Sequence, residues 1–472
     1  MRLSHLQGVF MTRKLKPIRT LLLVLLAVSI ALTGAGLFAG SSLPNPLITR
    51  DGSGFLGTYS TSGPIDITNP FFQNLGTNGR TCNSCHVSSQ GWTVSAEGVR
   101  DRFEDTRGTD PIFRPVDGAV CPSADVSTIL ARRSAYSLLM SKGLIRISLP
   151  VPAAADFQIT DIQDPYQCPQ TTATQPAMYR RPLPATNLPF LTTVMWDGRE
   201  SPKGQSLTAD LTQQAIDATM GHAQGAQPSA EQVQQIVAFE TALFTAQAFD
   251  AAAGGLTAEG ATGGPVNLAA QKFYVGINDV LGGDPTGAAF NPVAFTTYSD
   301  WEKLTGRNAT PARESIARGE ALFNTLPITI TGVSGLNDLP GLSTVNGTCT
   351  TCHDTPNVGN HSLALAINIG VTDYPARGGL DISGLPVYTI KCIGNGATVQ
   401  TTDPARALIS GKCADVGKTK GPILRGLAAR APYFHNGSAA TLQDVVEFYD
   451  QRFNLNMTDQ QKADLVAFLQ TL

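Results

Sequence analysis

The sequence predicts a mainly α fold in two similar halves, and three observations lead there. Helical periodicity recurs along the chain, and segments with the alternation of a strand are few. The pentapeptide Cys82-Asn83-Ser84-Cys85-His86 returns as Cys349-Thr350-Thr351-Cys352-His353. The approach to it also repeats, Asn78-Gly79-Arg80-Thr81 in one half and Asn346-Gly347-Thr348 in the other, as expected of a duplicated unit.

From the N-terminus, Arg13, Lys14, Lys16 and Arg19 precede an apolar run from Leu21 to about Ala39, the pattern of an export signal. Its nineteen residues can just span a bilayer, while Thr33 and Ala35 offer a processing site, so residues 1–40 are a cleaved signal peptide or an anchor. Either way the chain from about 41 folds outside the cytoplasm. Residues 41–80, rich in Gly, Ser, Thr, Asn and Pro, read as an extended entry segment. From about 100 to 184, Pro, Asp and Gly interrupt every pattern except a helical stretch from Val126 to Met140, which marks a loop-rich insertion over the first pentapeptide.

A helix follows from Leu207 to Met220, and a stronger one from Ser229 to Ala248. The latter has a capping box of Ser229 with Gln232 and a stripe of Val233, Ile236, Val237 and Leu243. Gly and Ala dominate residues 251–266, the hinge within a linker of 251–310. Pro311 opens a helix through Ala321, with Ile316, Leu322 and Phe323 facing inward. Thr441 to Asp444 starts a helix that places Leu442, Val445, Val446 and Tyr449 on one face. Thr458 with Gln461 opens the last helix, its apolar side Leu465, Phe468 and Leu469. The halves are therefore 41–250 and 311–472.

A chain of 472 residues, 42% apolar and 15% charged, supports two or three cores. Its net charge of −3, without a basic cluster beyond the N-terminus, argues against a nucleic-acid partner. Outside the pentapeptides the cysteines are Cys121, Cys168, Cys392 and Cys413. In an oxidising compartment this even remainder suggests two disulfides, most simply Cys121 to Cys168 and Cys392 to Cys413, with buried thiols as the alternative.

C-x-x-C-H is the attachment signature of c-type haem: two thiols add across the vinyl groups and the imidazole becomes an iron ligand. With 8 Cys and 6 His in the chain, one such pattern is expected by chance only roughly 0.002 times, so two are no accident. Structural zinc would need a second ligand pair nearby and a redox dithiol a βαβ context, and the sequence offers neither. Each half is thus expected to be a cytochrome c-like lobe with one covalent haem c.

The two motifs, 267 residues apart, stand with Trp196-Asp197-Gly198-Arg199, Gln214-Ala215 and Ala431-Pro432-Tyr433-Phe434-His435-Asn436-Gly437. In these features the chain resembles the bacterial di-haem cytochrome c peroxidase and MauG family, from about Asn69 to Leu472 with the insertion excepted. The resemblance implies two haem c groups, bound through Cys82, Cys85 and His86 and through Cys349, Cys352 and His353. It makes Trp196 an electron relay between them, the alternative being a tryptophan that packs the lobe interface. It implies a sixth ligand at the second haem fourteen residues after His435, which is Tyr449, as in MauG, where the peroxidases have methionine. A phenolate there lowers the reduction potential; otherwise Tyr449 is a core tyrosine with a satisfied hydroxyl.

The first haem departs from the pattern. No histidine lies between His86 and His222 to act as a removable ligand, so the iron is open or capped by Met140, Met178 or Met195. The family's acidic glutamate is replaced by Gln224, which cannot exchange a proton, and His222 is the obvious substitute for acid and base work. His222 has ligation and structural duty as alternatives. His361 and His435 are expected beside the second haem, bonding a propionate. The family often binds calcium between its lobes, but here Arg181 stands where an asparagine ligand is expected.

The function implied is a periplasmic oxidoreductase that reduces hydrogen peroxide at the N-terminal haem. A small cytochrome c or cupredoxin would deliver electrons through the C-terminal haem; pairing into a homodimer is left open. MauG-like oxidation of a protein or organic substrate, or a non-catalytic electron carrier, are the alternatives.

Overall fold

The structure is a computed structural model and describes residues 41–354, 356 and 365–472; the leader and His361 lie outside the described residues. Within Leu43–Leu472 helix exceeds strand, yet short antiparallel sheets tie distant segments together. No helix among the described residues is long and apolar enough to cross a membrane.

The entry segment differs most from expectation. Leu47–Arg50 and Gly54–Ser60 are strands, and Leu243–Asp250 and Gly254–Gly255 complete a four-stranded sheet with them. The helix expected to run to Ala248 therefore covers only Ala230–Ala242, although its capping box forms. Leu243, Phe244, Thr245 and Phe249 suit a pleated, half-buried surface, and Gly54–Ser60 provides the edge they pair with. Register matters here. Thr58 faces Thr245 with hydroxyls 3.0 Å apart, and Thr58 Oγ1 also accepts from the buried indole Nε1 of Trp92 at 3.0 Å. The sheet thereby fixes a residue six positions beyond His86.

The insertion carries more structure than its composition suggests. The helix Ala96–Thr106, capped by Ser95, precedes the expected helical stretch, which divides at Tyr136 into Ile129–Ala135 and Ser137–Lys142. Val99, Phe103, Ile112, Phe113, Tyr136 and Leu139 bury one another there. The strand Phe157–Gln163 then pairs with Val387–Cys392, which pairs in turn with Thr398–Thr401. The insertion is thus hydrogen-bonded to the C-terminal half as well as lying near the first motif. Both disulfides, Cys121 to Cys168 and Cys392 to Cys413, form as expected.

In the C-terminal half the helices Pro311–Thr325, Leu442–Phe453 and Asp459–Gln470 gather Ile316, Phe323, Val446, Leu465 and Phe468 around Trp301. Two of them touch backbone to backbone. A Cβ at Gly319 would stand 2.0 Å from the carbonyl oxygen of Asp464, so only glycine permits this approach.

Candidate functional site

Both pentapeptides fold into the same turn. Cys82–Ser84 and Cys349–Thr351 are single 3-10 turns. The N–H of Thr81 donates to Ser84 Oγ at 3.0 Å and that of Thr348 to Thr351 Oγ1 at 2.9 Å. In each, the histidine N–H donates to the carbonyl of the first cysteine at 3.0 Å. Cys82, Cys85 and His86 line one cavity, about 1420 Å³ of unfilled space with its mouth; Cys349, Cys352 and His353 line a second of about 1830 Å³.

The residues present fit haem c on three counts. Of the eight cysteines only these four remain thiols, and burial pushes Cys82, Cys349 and Cys352 up to about 12. Such thiols are poor redox nucleophiles, which disfavours a dithiol switch. Next, His86 Nδ1 lies 3.0 Å from Trp92 O. A carbonyl only accepts, so Nδ1 carries the proton in this contact, as in the usual orientation of a metal-bound imidazole. Finally, Arg181 and Lys420 line both cavities and Arg430 the second, all buried and without an acidic partner among the described residues. Burial pulls Lys420 down to about 7. Buried cations call for anions, and the two carboxylates of a haem supply them.

Trp196 lies between the cavities and lines both. Its Nε1 donates to Arg181 O at 2.8 Å, and its ring centroid is 6.0 Å from that of His435. The following residue, Asp197, is anchored by Arg180, whose guanidinium also grips Asp403: Nη1 to Asp197 Oδ2 is 2.5 Å, and Nε and Nη2 reach the Asp403 carboxylate at 2.7 and 2.9 Å. All three are buried.

In the first cavity His222 ends the helix Leu207–Gly221 and lines the wall with Asp117 and Arg80. Gln224 is not in that wall. Its side chain is exposed and accepts from Asn78 Nδ2 at 3.3 Å. Of the three methionines considered as caps, Met195 lines the cavity, while Met140 and Met178 are buried elsewhere.

In the second cavity the helix Leu442–Phe453 presents Tyr449, with its ring centroid 6.4 Å from that of His353 and its face stacked on Phe453. Burial, with Cys352 and Cys349 adding, holds the phenol well above its ordinary range. Its hydroxyl makes no hydrogen bond among the described residues, and the side chain lines the cavity. His435 lines the same cavity; burial pulls it down to about 4, and its Nε2 lies 3.6 Å from Asp403 Oδ2, beyond a hydrogen bond.

Calcium does not fit beside Arg181. The guanidinium already donates to the carbonyl oxygens of Val94 at 2.6 Å, Arg430 at 2.8 Å and Lys142 at 3.1 Å, so a fixed cation holds the oxygens a metal would need. Sequence reasoning also missed Asp117, Lys420 and Glu240. Glu240 lines the first cavity, pushed up to about 8 by burial. It falls seven residues after Val233 on the apolar stripe, a signal that a charge there faces inward.

No protein-family model matches the chain. It is 34% identical over 140 residues to cytochrome-c peroxidase IdrP2 of Denitromonas iodatirespirans, covering 27% of this chain and 37% of the relative. To the IdrP2 of Pseudomonas sp. (strain SCT) it is 33% identical over 138 residues, 26% and 35% of the two chains. To cytochrome c551 peroxidase of Nitrosomonas europaea it is 29% identical over 143 residues, 29% and 34% of the two. The chain thus spans little over a third of the length of these curated relatives. A solved MauG-like protein associated with microbial copper homeostasis aligns over 93% of this chain and 94% of its own, at 15% identity and a TM-score of 0.35. Over the matched segments the chain is thus homologous to cytochrome c peroxidases.

Proposed function

We propose that the chain is an exported, periplasmic di-haem oxidoreductase of two cytochrome c-like lobes, 41–250 and 311–472. It reduces hydrogen peroxide to water in the first cavity with electrons that enter through the second. The observation that carries the proposal is Trp196, whose indole lines both cavities. Haem c at both motifs supplies the redox chemistry, one iron where the O–O bond breaks and one that takes electrons from a small cytochrome c or cupredoxin. One peroxide takes up two electrons and two protons and leaves as two waters.

His86 and His353 would hold the irons, and Trp196, which lines both cavities, would pass electrons from one to the other. His222 takes the proton from the near peroxide oxygen and returns it to the leaving one. Arg181 and Lys420 line both cavities, where haem carboxylates would balance their charge. In stopped flow, ferric holoprotein with one high-spin and one low-spin haem should change its spectrum on mixing with peroxide. Two low-spin haems and no change would leave an electron carrier instead.

Tyr449 favours a second reading, MauG-like oxidation of a protein or organic substrate. A phenol lining the second cavity suits an iron ligand that lowers the potential. Tyr449→Met should raise the second haem's potential by on the order of 100 mV, within the roughly 0.8 V that axial ligands command. An unchanged potential and spectrum removes Tyr449 from the ligand set.

A further inference from the structure

We propose that Asp117 is the positioning residue of the first cavity, fixing His222 with a bare Nε2 toward the cavity, and that Arg80 in turn fixes Asp117. This rests on the reading that His222 exchanges a proton with bound peroxide. Asp117 is 4% exposed and its Oδ2 lies 2.5 Å from His222 Nδ1. A carboxylate only accepts, so the Nδ1 proton sits in this contact and the lone pair of neutral His222 is on Nε2.

Asp117 is pinned at its other end too. Arg80, 2% exposed, brings Nη1 to 2.5 Å from Asp117 Oδ1. The same guanidinium donates to the carbonyl oxygens of Pro111 at 2.9 Å, Ile112 at 2.7 Å and His222 at 3.2 Å. The Asp117 carbonyl accepts from Arg146 N at 2.7 Å. Burial opposes ionisation of Asp117, but His222 and Arg80 outweigh it and hold the carboxyl below its ordinary range.

Arg80 stands two residues before Cys82, so one side chain couples the haem-attachment turn to the acid–base residue. The insertion contributes Asp117, which gives that loop-rich segment a part in the site. The other charged or titratable side chains lining the cavity are the attachment thiols Cys82 and Cys85 with His86, Arg180, Arg181, Arg199, Glu240 and Lys420. Only Asp117 bonds the His222 ring among the described residues.

The test uses full-length holoprotein with cyanide as well as peroxide, because hydrogen cyanide must give up a proton to bind as the anion. With Asp117→Asn, both association rates should fall about tenfold or more, and the acid limb of the cyanide pH profile should move to lower pH, since an imidazole without its carboxylate protonates less readily. Arg80→Gln leaves the Asp117 to His222 contact but removes the competing cation, and should move the same limb to higher pH. A carboxylate that only braces the fold would not shift one midpoint in opposite directions, and unmoved limbs in both folded variants would overturn the proposal. Should Asp117→Asn fail to fold, Arg80→Gln and Asp117→Glu decide: the glutamate should keep the parent's limb while Arg80→Gln moves it to higher pH, and an unmoved limb in Arg80→Gln, or a limb displaced in Asp117→Glu, refutes the role. If His222→Ala itself leaves the peroxide rate unchanged, the proton-exchange reading fails first.

Discussion

Replacing His222 by alanine is expected to slow the reaction with hydrogen peroxide about a hundredfold or more, with both haems retained. The magnitude follows from chemistry. Breaking the O–O bond needs a proton moved from one peroxide oxygen to the other, and His222 is the histidine that lines the first cavity besides the attachment turn's own His86. Gln224, in the position that resemblance assigned to the exchanging carboxylate, is outside that wall and has no acidic proton. The change also leaves Asp117 with Arg80 as a partner, so folding should survive it. A peroxide rate within twofold of the parent, at full haem content, would take His222 out of the reaction.

Arg180→Met should cost about 3–5 kcal/mol of stability, because it takes the shared guanidinium from two buried carboxylates, leaving Asp403 without its bidentate partner and Asp197 with Arg199 alone. Asp197 precedes the glycine of the W-D-G-R turn and Asp403 comes from the C-terminal half, so the same change loosens the setting of Trp196. The effect has a defined pH sense. Burial opposes ionisation of Asp197, yet Arg180 and Arg199 prevail and hold its carboxyl below the ordinary range. A depressed carboxyl contributes stability above its unfolded value and loses it as pH falls through the folded value. The parent's advantage should therefore be full at neutral pH and shrink in acid. Denaturant midpoints of the two holoproteins across pH measure this; a difference under about 1 kcal/mol at neutral pH would mean that the triad does not hold the interface.

Much of the site is legible in the sequence because its signals are local. Each pentapeptide carries its own turn, and a closing threonine with a hydroxyl residue three positions on reproduces the same geometry twice. Tyr449 is reached by counting from His435 along a strongly periodic helix, and nearest-neighbour pairing of the cysteines was sufficient for the disulfides. The four-stranded sheet was not legible. Leu243 to Asp250 continues the apolar stripe of a helix, and a short apolar run does not say whether its partner is the next turn or a strand almost two hundred residues away. Asp117 is a different case. It lies in a stretch without periodicity, and only the fold brings it 105 residues along the chain to His222.

Everything proposed for Trp196, His222 and Tyr449 requires a haem on each side of the indole. The direct measurement is the mass of the intact exported protein. Two haem increments are predicted, one lost in Cys82→Ser/Cys85→Ser and the other in Cys349→Ser/Cys352→Ser. A parent protein carrying a single increment, or none, would contradict the two-centre arrangement.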